Sequence, residues 1–173
     1  LLFLIGGFLV MWMAAGFAML ETGLVRSKNA STQLLKNVAL FSLASIAYFI
    51  VGFNLMYPGD GWIINGWMGG FSLTGLEPAG VGADGVDLTY ASVGSDFFFQ
   101  LMFCAATASI VSGTVAERVK LWPFLIFTIV LTGIFYPISA SWQWGGGWLS
   151  EAGFSDFAGS TVVHATGAAA ALA

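Results

Sequence analysis

Residues 35–57 read LKNVALFSLASIAYFIVGFNLMY. A single lysine stands near the start, and the rest is apolar, small or uncharged. A strand buried on both faces also gives an unbroken apolar run, so periodicity cannot separate strand from helix here. Length can: buried strands run about 4–8 residues, whereas a bilayer core of about 30 Å takes about 20 helical residues. The stretch therefore predicts a membrane-crossing helix.

Composition extends this reading to the whole chain. Hydrophobic residues make up 58% of it and charged residues 8%, against about 25% charged in a soluble domain. So few charges cannot cover a water-facing surface. Sixteen Phe and seven Trp fit a lipid-facing exterior with aromatic belts at the interfaces. The net charge is −4, and no basic patch offers a nucleic-acid surface. The single Cys104 rules out an intramolecular disulfide. The opening LLFLIGGFLVMWMAAGF has neither Met nor a basic n-region. It reads as a span already under way, not as a signal peptide. The end, GAAAALA, also lies within an apolar run, so the chain reads as a piece of a longer protein cut at both ends.

Four stretches are long enough to cross: 1–25, with Glu21 near its end, then 35–57, 93–116 and 121–141. A fifth begins near Ser160 and runs to residue 173. The expected fold is an all-α integral membrane protein, a helical bundle. All five basic residues, Arg26, Lys28, Lys36, Arg118 and Lys120, fall after the first or the third span. Alternating crossings put both places on one side, which the positive-inside rule makes the cytoplasm. Residue 1 then starts at the outer face. The outer side receives Asp60, Glu77, Asp84, Asp87, Asp96, Glu151 and Asp156 and no basic residue.

The long loop from Pro58 to Ser92 is Gly-rich (PGDGWIINGWMGG, EPAGVGADGVD). It reads as an outer cap with turns at its Gly and Pro positions, and Trp62 and Trp67 as interfacial anchors. Ala105, Ser109 and Gly113 recur at spacing four, the interval at which small residues let helices approach closely in lipid. Ala165 and Gly167 to Ala171 prepare the fifth span for the same contact. Pro137 should kink or end the fourth span and leave carbonyls for neighbours to satisfy. The three glycines of WQWGGGW imply close backbone packing or a sharp re-entry.

His164 is the only histidine. It can be a core histidine satisfied by one hydrogen bond. An ionisable group inside a span is also a functional candidate. One turn below Ser160 it can line an internal path. A neutral imidazole accepts on one nitrogen and donates from the other, which suits passing a proton or holding a polar solute. Asp156, eight residues earlier, can cap the fifth span, shape an outer vestibule, or both. Phe99 and Phe103, four apart, share a helix face and can be lipid-facing or core packing aromatics. Trp144 can be an interface anchor like Trp142 and Trp148. A cation site needs it to face an aromatic of another span. No nucleophile–base pair, metal-ligand cluster or phosphate loop is present, so no enzyme, metal or cofactor is expected.

Four stretches, GFAMLETGLVRSKNA, FFFQLMFCAATASIVSGTVAERVK, WQWGGGWL and DFAGSTVVHATGAAAALA, resemble the ammonium transporter family (Amt, with Mep and Rh relatives). DFAGSTVVH is the most specific. The resemblance covers about the first half of such a protein. It implies the first five-helix half of an eleven-span, inverted-repeat fold that assembles as a homotrimer, a design that puts the site at the repeat interface. It also implies ammonium uptake for nitrogen supply through the plasma membrane, a bacterial inner membrane, with a cytosolic PII-type protein as regulatory partner. Residue by residue, Trp144 matches the tryptophan of the outer recruitment site and Phe103 the phenylalanine that closes it. Phe99 and Gln100 match the residues beside that phenylalanine. His164 matches the first of two pore histidines, and Asp156 the vestibule aspartate that supports the recruitment site. The expected function is to bind NH4+ outside, deprotonate it, and pass NH3 and H+ separately along a His-lined pore. An Amt-like sensor that binds without conducting, or an Rh-type passive gas channel, are the rival readings. A purely structural membrane subunit fits the His, Asp and Trp–Gly stretch poorly. Glu21 sits either at the inner interface ahead of Arg26 or against another subunit.

Overall fold

The computed structural model describes residues 1–73 and 91–173. Glu77, Asp84, Asp87 and the EPAGVGADGVD stretch lie outside the described residues. The chain is a helical bundle. Four helices are long and apolar enough to cross a membrane: Leu2–Leu24, Ser27–Met56, Val93–Thr114 and Leu121–Ser141. A fifth helical stretch covers residues 160–172 and opens with a π segment, Ser160–Ala165.

The second helix starts earlier than the apolar run at 35–57. After the extended residues Val25 and Arg26, a 3-10 turn over Ser27–Asn29 leads straight into α-helix at Ala30. Polar composition hid this turn and a half of helix. Gln33, Lys36 and Asn37 are consequently helical and buried in the bundle.

The third helix is the centre of the packing. Of its most apolar window 61% is buried inside the chain, against 6% for the first helix. The first helix lies along it through glycines. A β-carbon at Gly6 would meet the Phe99 ring at 2.9 Å, and one at Gly7 the Phe98 ring at 2.5 Å. At the other end Gly113 makes room for Glu21. Gly167 brings the fifth stretch onto the third helix, where a β-carbon would stand 3.0 Å from the Thr107 carbonyl.

Pro137 does not end the fourth helix, which runs on to Ser141. The helix widens into a π segment over Leu131–Phe135 just before it. Proline supplies no N–H to the preceding turn. Cys104 of the third helix donates its S–H to the Thr132 carbonyl at 3.4 Å, so a neighbour does satisfy a freed carbonyl. The second helix carries its own π segment, Tyr48–Gly52. Gly52 fits against the proline turn: a β-carbon there would lie 3.0 Å from Thr132 O and from Pro137 Cγ.

The cap after the second helix is a short antiparallel hairpin, β1 (Trp62–Ile64) with β2 (Met68–Gly69). It sits on the WQWGGGW turn. Trp148 N–H donates to Gly66 O at 3.0 Å, and the Trp142 indole N–H to Trp67 O at 2.8 Å. Trp67 stacks on Trp148 with centroids 4.6 Å apart and planes at 10°. Trp67 is therefore packed into the cap and is not simply an interfacial anchor. The glycines pack as their spacing implied: a β-carbon at Gly145 would come 2.2 Å from Met56 O, and one at Gly147 2.6 Å from Gly66 O.

Candidate functional site

The fourth helix ends at Ser141, and the glycine turn after it swings Trp144 across the third helix. Trp144 N–H still donates to Ala140 O at 2.8 Å, so the indole is held by the last helical turn. Gly146, at φ +78°, turns the chain back. Trp144 then faces Phe103, with centroids 5.8 Å apart and planes at 53°. Phe103 meets Phe99 edge-on at 4.9 Å, and Phe99 meets Phe3 of the first helix at 4.9 Å. The four rings form a ladder across three helices, with Trp144 half-buried at its end. The condition that the sequence set for a cation site, an aromatic of another span facing Trp144, is met.

Asp156 is buried just ahead of the fifth helical stretch. Its Oδ1 accepts from the N–H groups of Gly159 (2.7 Å) and Ser160 (3.1 Å), and its Oδ2 from those of Thr161 (2.8 Å) and Val162 (2.8 Å). These four groups start a helix and have no intrahelical partner. Burial would raise the carboxyl pKa, but the four N–H donors outweigh it and hold it below the ordinary carboxylate range. The Asp156 carbonyl accepts the Trp144 indole N–H at 2.8 Å. Asp156 is thus a cap whose backbone fixes Trp144, with both carboxylate oxygens already committed. Gly159, at φ +83°, completes the fit: a β-carbon there would press to 3.3 Å from the indole.

His164 lies on the π segment and is exposed on an open face of the chain, with Nδ1 3.3 Å from the Gly159 carbonyl. It is not buried by the residues of this chain. Val162 and Val163 beside it are buried, and Thr107 of the third helix reaches the Val163 carbonyl at 3.4 Å. Gln100 goes elsewhere. One position round the helix from Phe99, it is buried away from the ladder, and its Oε1 has no hydrogen-bond partner. The structure therefore brings together Trp144, Phe103, Phe99 and Asp156. It places His164 on the helix that Asp156 caps, and it separates Gln100 from them.

Sequence reasoning missed a polar knot at the basic end of the bundle. Glu21 is 3% exposed. Its Oε2 accepts from Gln33 Nε2, from Asn37 Nδ2 at 2.7 Å and from Ser112 Oγ at 2.8 Å. Lys36 Nζ donates to the Ser112 carbonyl at 2.8 Å and lies 4.9 Å from the Phe124 ring centroid. The knot joins the first three helices. The signal was present in Gln33, Lys36 and Asn37, three polar side chains in one helical turn leading into an apolar run. Beyond it Glu117, at φ +62°, accepts from Asn29 Nδ2 (2.6 Å), from Arg26 N–H (2.9 Å) and from Arg26 Nε (3.1 Å to Oε2).

Residues 1–173 match the model of the Ammonium Transporter Family over their whole length. The chain belongs to the ammonium transporter family. It is 44% identical over 180 residues to the ammonium transporter Amt2 of Archaeoglobus fulgidus, with 98% of this chain and 36% of that one covered. With the ammonium transporter of Bacillus subtilis it shares 35% identity over 167 residues, covering 95% of this chain and 40% of the other. The structure superposes on Saccharomyces cerevisiae Mep2 with a TM-score of 0.82 at 26% identity, covering 98% of this chain and 37% of Mep2. Candida albicans Mep2 gives 0.81 at 28%, covering 98% and 36%. The chain spans little more than a third of the length of these relatives, which are named as transporters and not as enzymes. This chain of the ammonium transporter family is a multi-pass membrane protein, and its helices adopt the Mep2 arrangement.

Proposed function

We propose that the chain forms the outer recruitment site and one wall of the conduction path of an ammonium transporter. Ammonium binds outside between the Trp144 and Phe103 rings. Carrying the intact cation further is prohibitive, since the idealised cost of moving such an ion into a medium of low dielectric is on the order of 20 kcal/mol. Cation–π attraction returns about 2 kcal/mol at a desolvated site. The cation therefore gives up its proton below the Phe103 gate. Neutral ammonia crosses the apolar lumen, and the proton travels separately by way of His164. Potassium has no proton to shed and stays out.

The open face bearing His164 is where we place the second half of the protein. In this reading all five helical stretches of residues 1–173 cross the bilayer, with residue 1 at the outer face of a plasma membrane, a bacterial inner membrane. Three copies assemble, and a PII-type protein regulates from the cytosol. Gln100 supports the third helix behind the gate.

The observation that carries the reading is the Trp144–Phe103 pair at 5.8 Å, with the indole N–H clamped to the Asp156 carbonyl at 2.8 Å. A merely interfacial tryptophan needs no such clamp. The full-length protein reconstituted in proteoliposomes tests it. Trp144→Leu is expected to raise the half-saturating ammonium concentration by about tenfold to thirtyfold, the equivalent of the lost cation–π contact. His164→Ala is expected to abolish ammonium-driven current. Undiminished current in His164→Ala takes the histidine out of the relay. Retained ammonium binding with no current in the unmodified protein turns the reading to a sensor.

A further inference from the structure

At the basic end of the bundle a cavity of about 420 Å³ opens between the first and third helices, with Leu20, Glu21, Ile110, Gly113 and Arg118 in its wall. Ile110 ties it to the path proposed above. It lies seven residues after Phe103 on the third helix, and a β-carbon at Gly167, three residues after His164, would meet it at 3.1 Å. Ile110 is thus shared between the wall of the cavity and the contact of the third helix with the fifth stretch.

Its polar wall is Glu21. Three donors crowd onto Oε2, while Oε1 is buried without a hydrogen-bond partner. No cation touches this carboxylate, the described ion pair being Arg26 with Glu117. Lys36 interacts with it electrostatically but donates its hydrogen bond to the Ser112 carbonyl. Oε1 lies on the Gly113 side, where a β-carbon would stand 3.3 Å from it. With glycine at 113, no side chain presses on the spare oxygen, which is buried beside the cavity wall. The unpartnered oxygen beside the cavity wall can accept from an N–H donor of a small cation.

We propose that Glu21 Oε1 is an inner binding site for a monovalent cation, ammonium, at the exit of the path. The site rests on the transport reading for its ligand. Ammonia arriving in the cavity accepts, on its lone pair, the proton that travelled separately. The resulting NH4+ donates to Glu21 Oε1 before release. Arg118 and Glu117 stand at the same cavity, but Glu117 is taken up by Asn29 and Arg26, which leaves Glu21 as the acceptor.

The test uses the full-length protein in liposomes of known orientation, with ammonium applied to either face, and thallium(I) as a heavy monovalent probe in crystals. Glu21→Gln is expected to raise half-saturation at the inner face by about tenfold, the loss of one charge-assisted hydrogen bond, while the outer-face value stays put. Gly113→Ala, which keeps the knot but crowds Oε1, should act the same way. Ser112→Ala, which loosens the knot and leaves Oε1 in place, should lower the melting temperature without changing the ratio of inner to outer half-saturation. Thallium should occupy a position against Oε1 in the unmodified protein and be absent in Glu21→Gln. Half-saturation that is unchanged, or that rises equally at both faces, overturns the proposal, as does an unmodified crystal without thallium at Oε1. If the unmodified protein gives no current yet thallium occupies Oε1, the transport reading falls and the cation site stands.

Discussion

Of the carboxylates buried among the described residues, Asp156 and Glu21 lie at opposite ends of this bundle and are satisfied in different ways. Asp156 has four partners, all backbone N–H groups of the helix that it starts. Glu21 has three, all side chains, gathered on one oxygen. Backbone donors arrive in the fixed fan of a helix N-terminus and use both oxygens of a cap. Side-chain donors come from wherever neighbouring helices place them, and nothing obliges them to cover both oxygens. Asp156 is thereby finished as a structural part, and its influence on the site passes through its carbonyl to Trp144. Glu21 keeps one oxygen without a hydrogen-bond partner.

The largest expected effect breaks the cap. Asp156→Ala leaves four N–H groups with no acceptor. Loss of a cap costs about 1–2 kcal/mol, and each donor left buried and unpaired adds about 1–3 kcal/mol, so the combined destabilisation should be about 3 kcal/mol or more. A melting curve of the full-length protein in detergent reads it directly. Asp156→Asn keeps one oxygen and should lose about half as much. An Asp156→Ala protein that melts like the unmodified one removes the cap from the account.

Glu21→Ala should cost less, about 2 kcal/mol, because its donors have other partners. Asn37 Nδ2 also reaches Gln33 O at 3.0 Å, and Gln33 Nε2 lies 3.3 Å from Ser112 Oγ. The same melting experiment ranks the two carboxylates. A loss at Glu21 equal to or above that at Asp156 would mean that side-chain donors cannot regroup, and the contrast between the two ends would weaken.

What could be read in the sequence follows the same division. Helix existence followed from apolar length, and the cap at Asp156 from a carboxylate four residues before a helix start, because both are local. The pairing of Trp144 with Phe103 came through family resemblance, since 41 positions separate them and only the fold brings them within 5.8 Å. The start of the second helix was hidden because Gln33 and the polar residues before it look like loop composition until Glu21 of another helix satisfies Gln33. The π segments left no signal of their own. Pro137 announced a missing N–H, but Gly52 and Cys104, which accommodate it, lie on other helices. The role of Trp67 was likewise set by a partner, Trp148, far along the chain.

The smallest effect concerns Glu117, a third carboxylate that separates hydrogen bonding from burial. It sits at the surface of the basic end, and Asn29, then the Arg26 backbone N–H, hold its pKa down from 4.5 to about 2. A depressed folded-state pKa favours the folded turn at every pH above the ordinary value, and the benefit fades as pH falls from 4.5 toward 2. Hydrogen exchange of the Arg26–Asn29 turn, where Asn29 N–H donates to Arg26 O at 2.8 Å, should therefore be level from neutral pH down to about 5. Protection should then drop through the acid range, once the intrinsic pH dependence of exchange is corrected. Glu117→Gln should flatten that profile while leaving melting at neutral pH almost unchanged, because the Arg26 side chain is 66% exposed and exposed ion pairs add little and are screened by salt. A Glu117→Gln variant that melted as early as Glu21→Ala would show that engagement by donors, and not burial, sets what a carboxylate is worth to this fold.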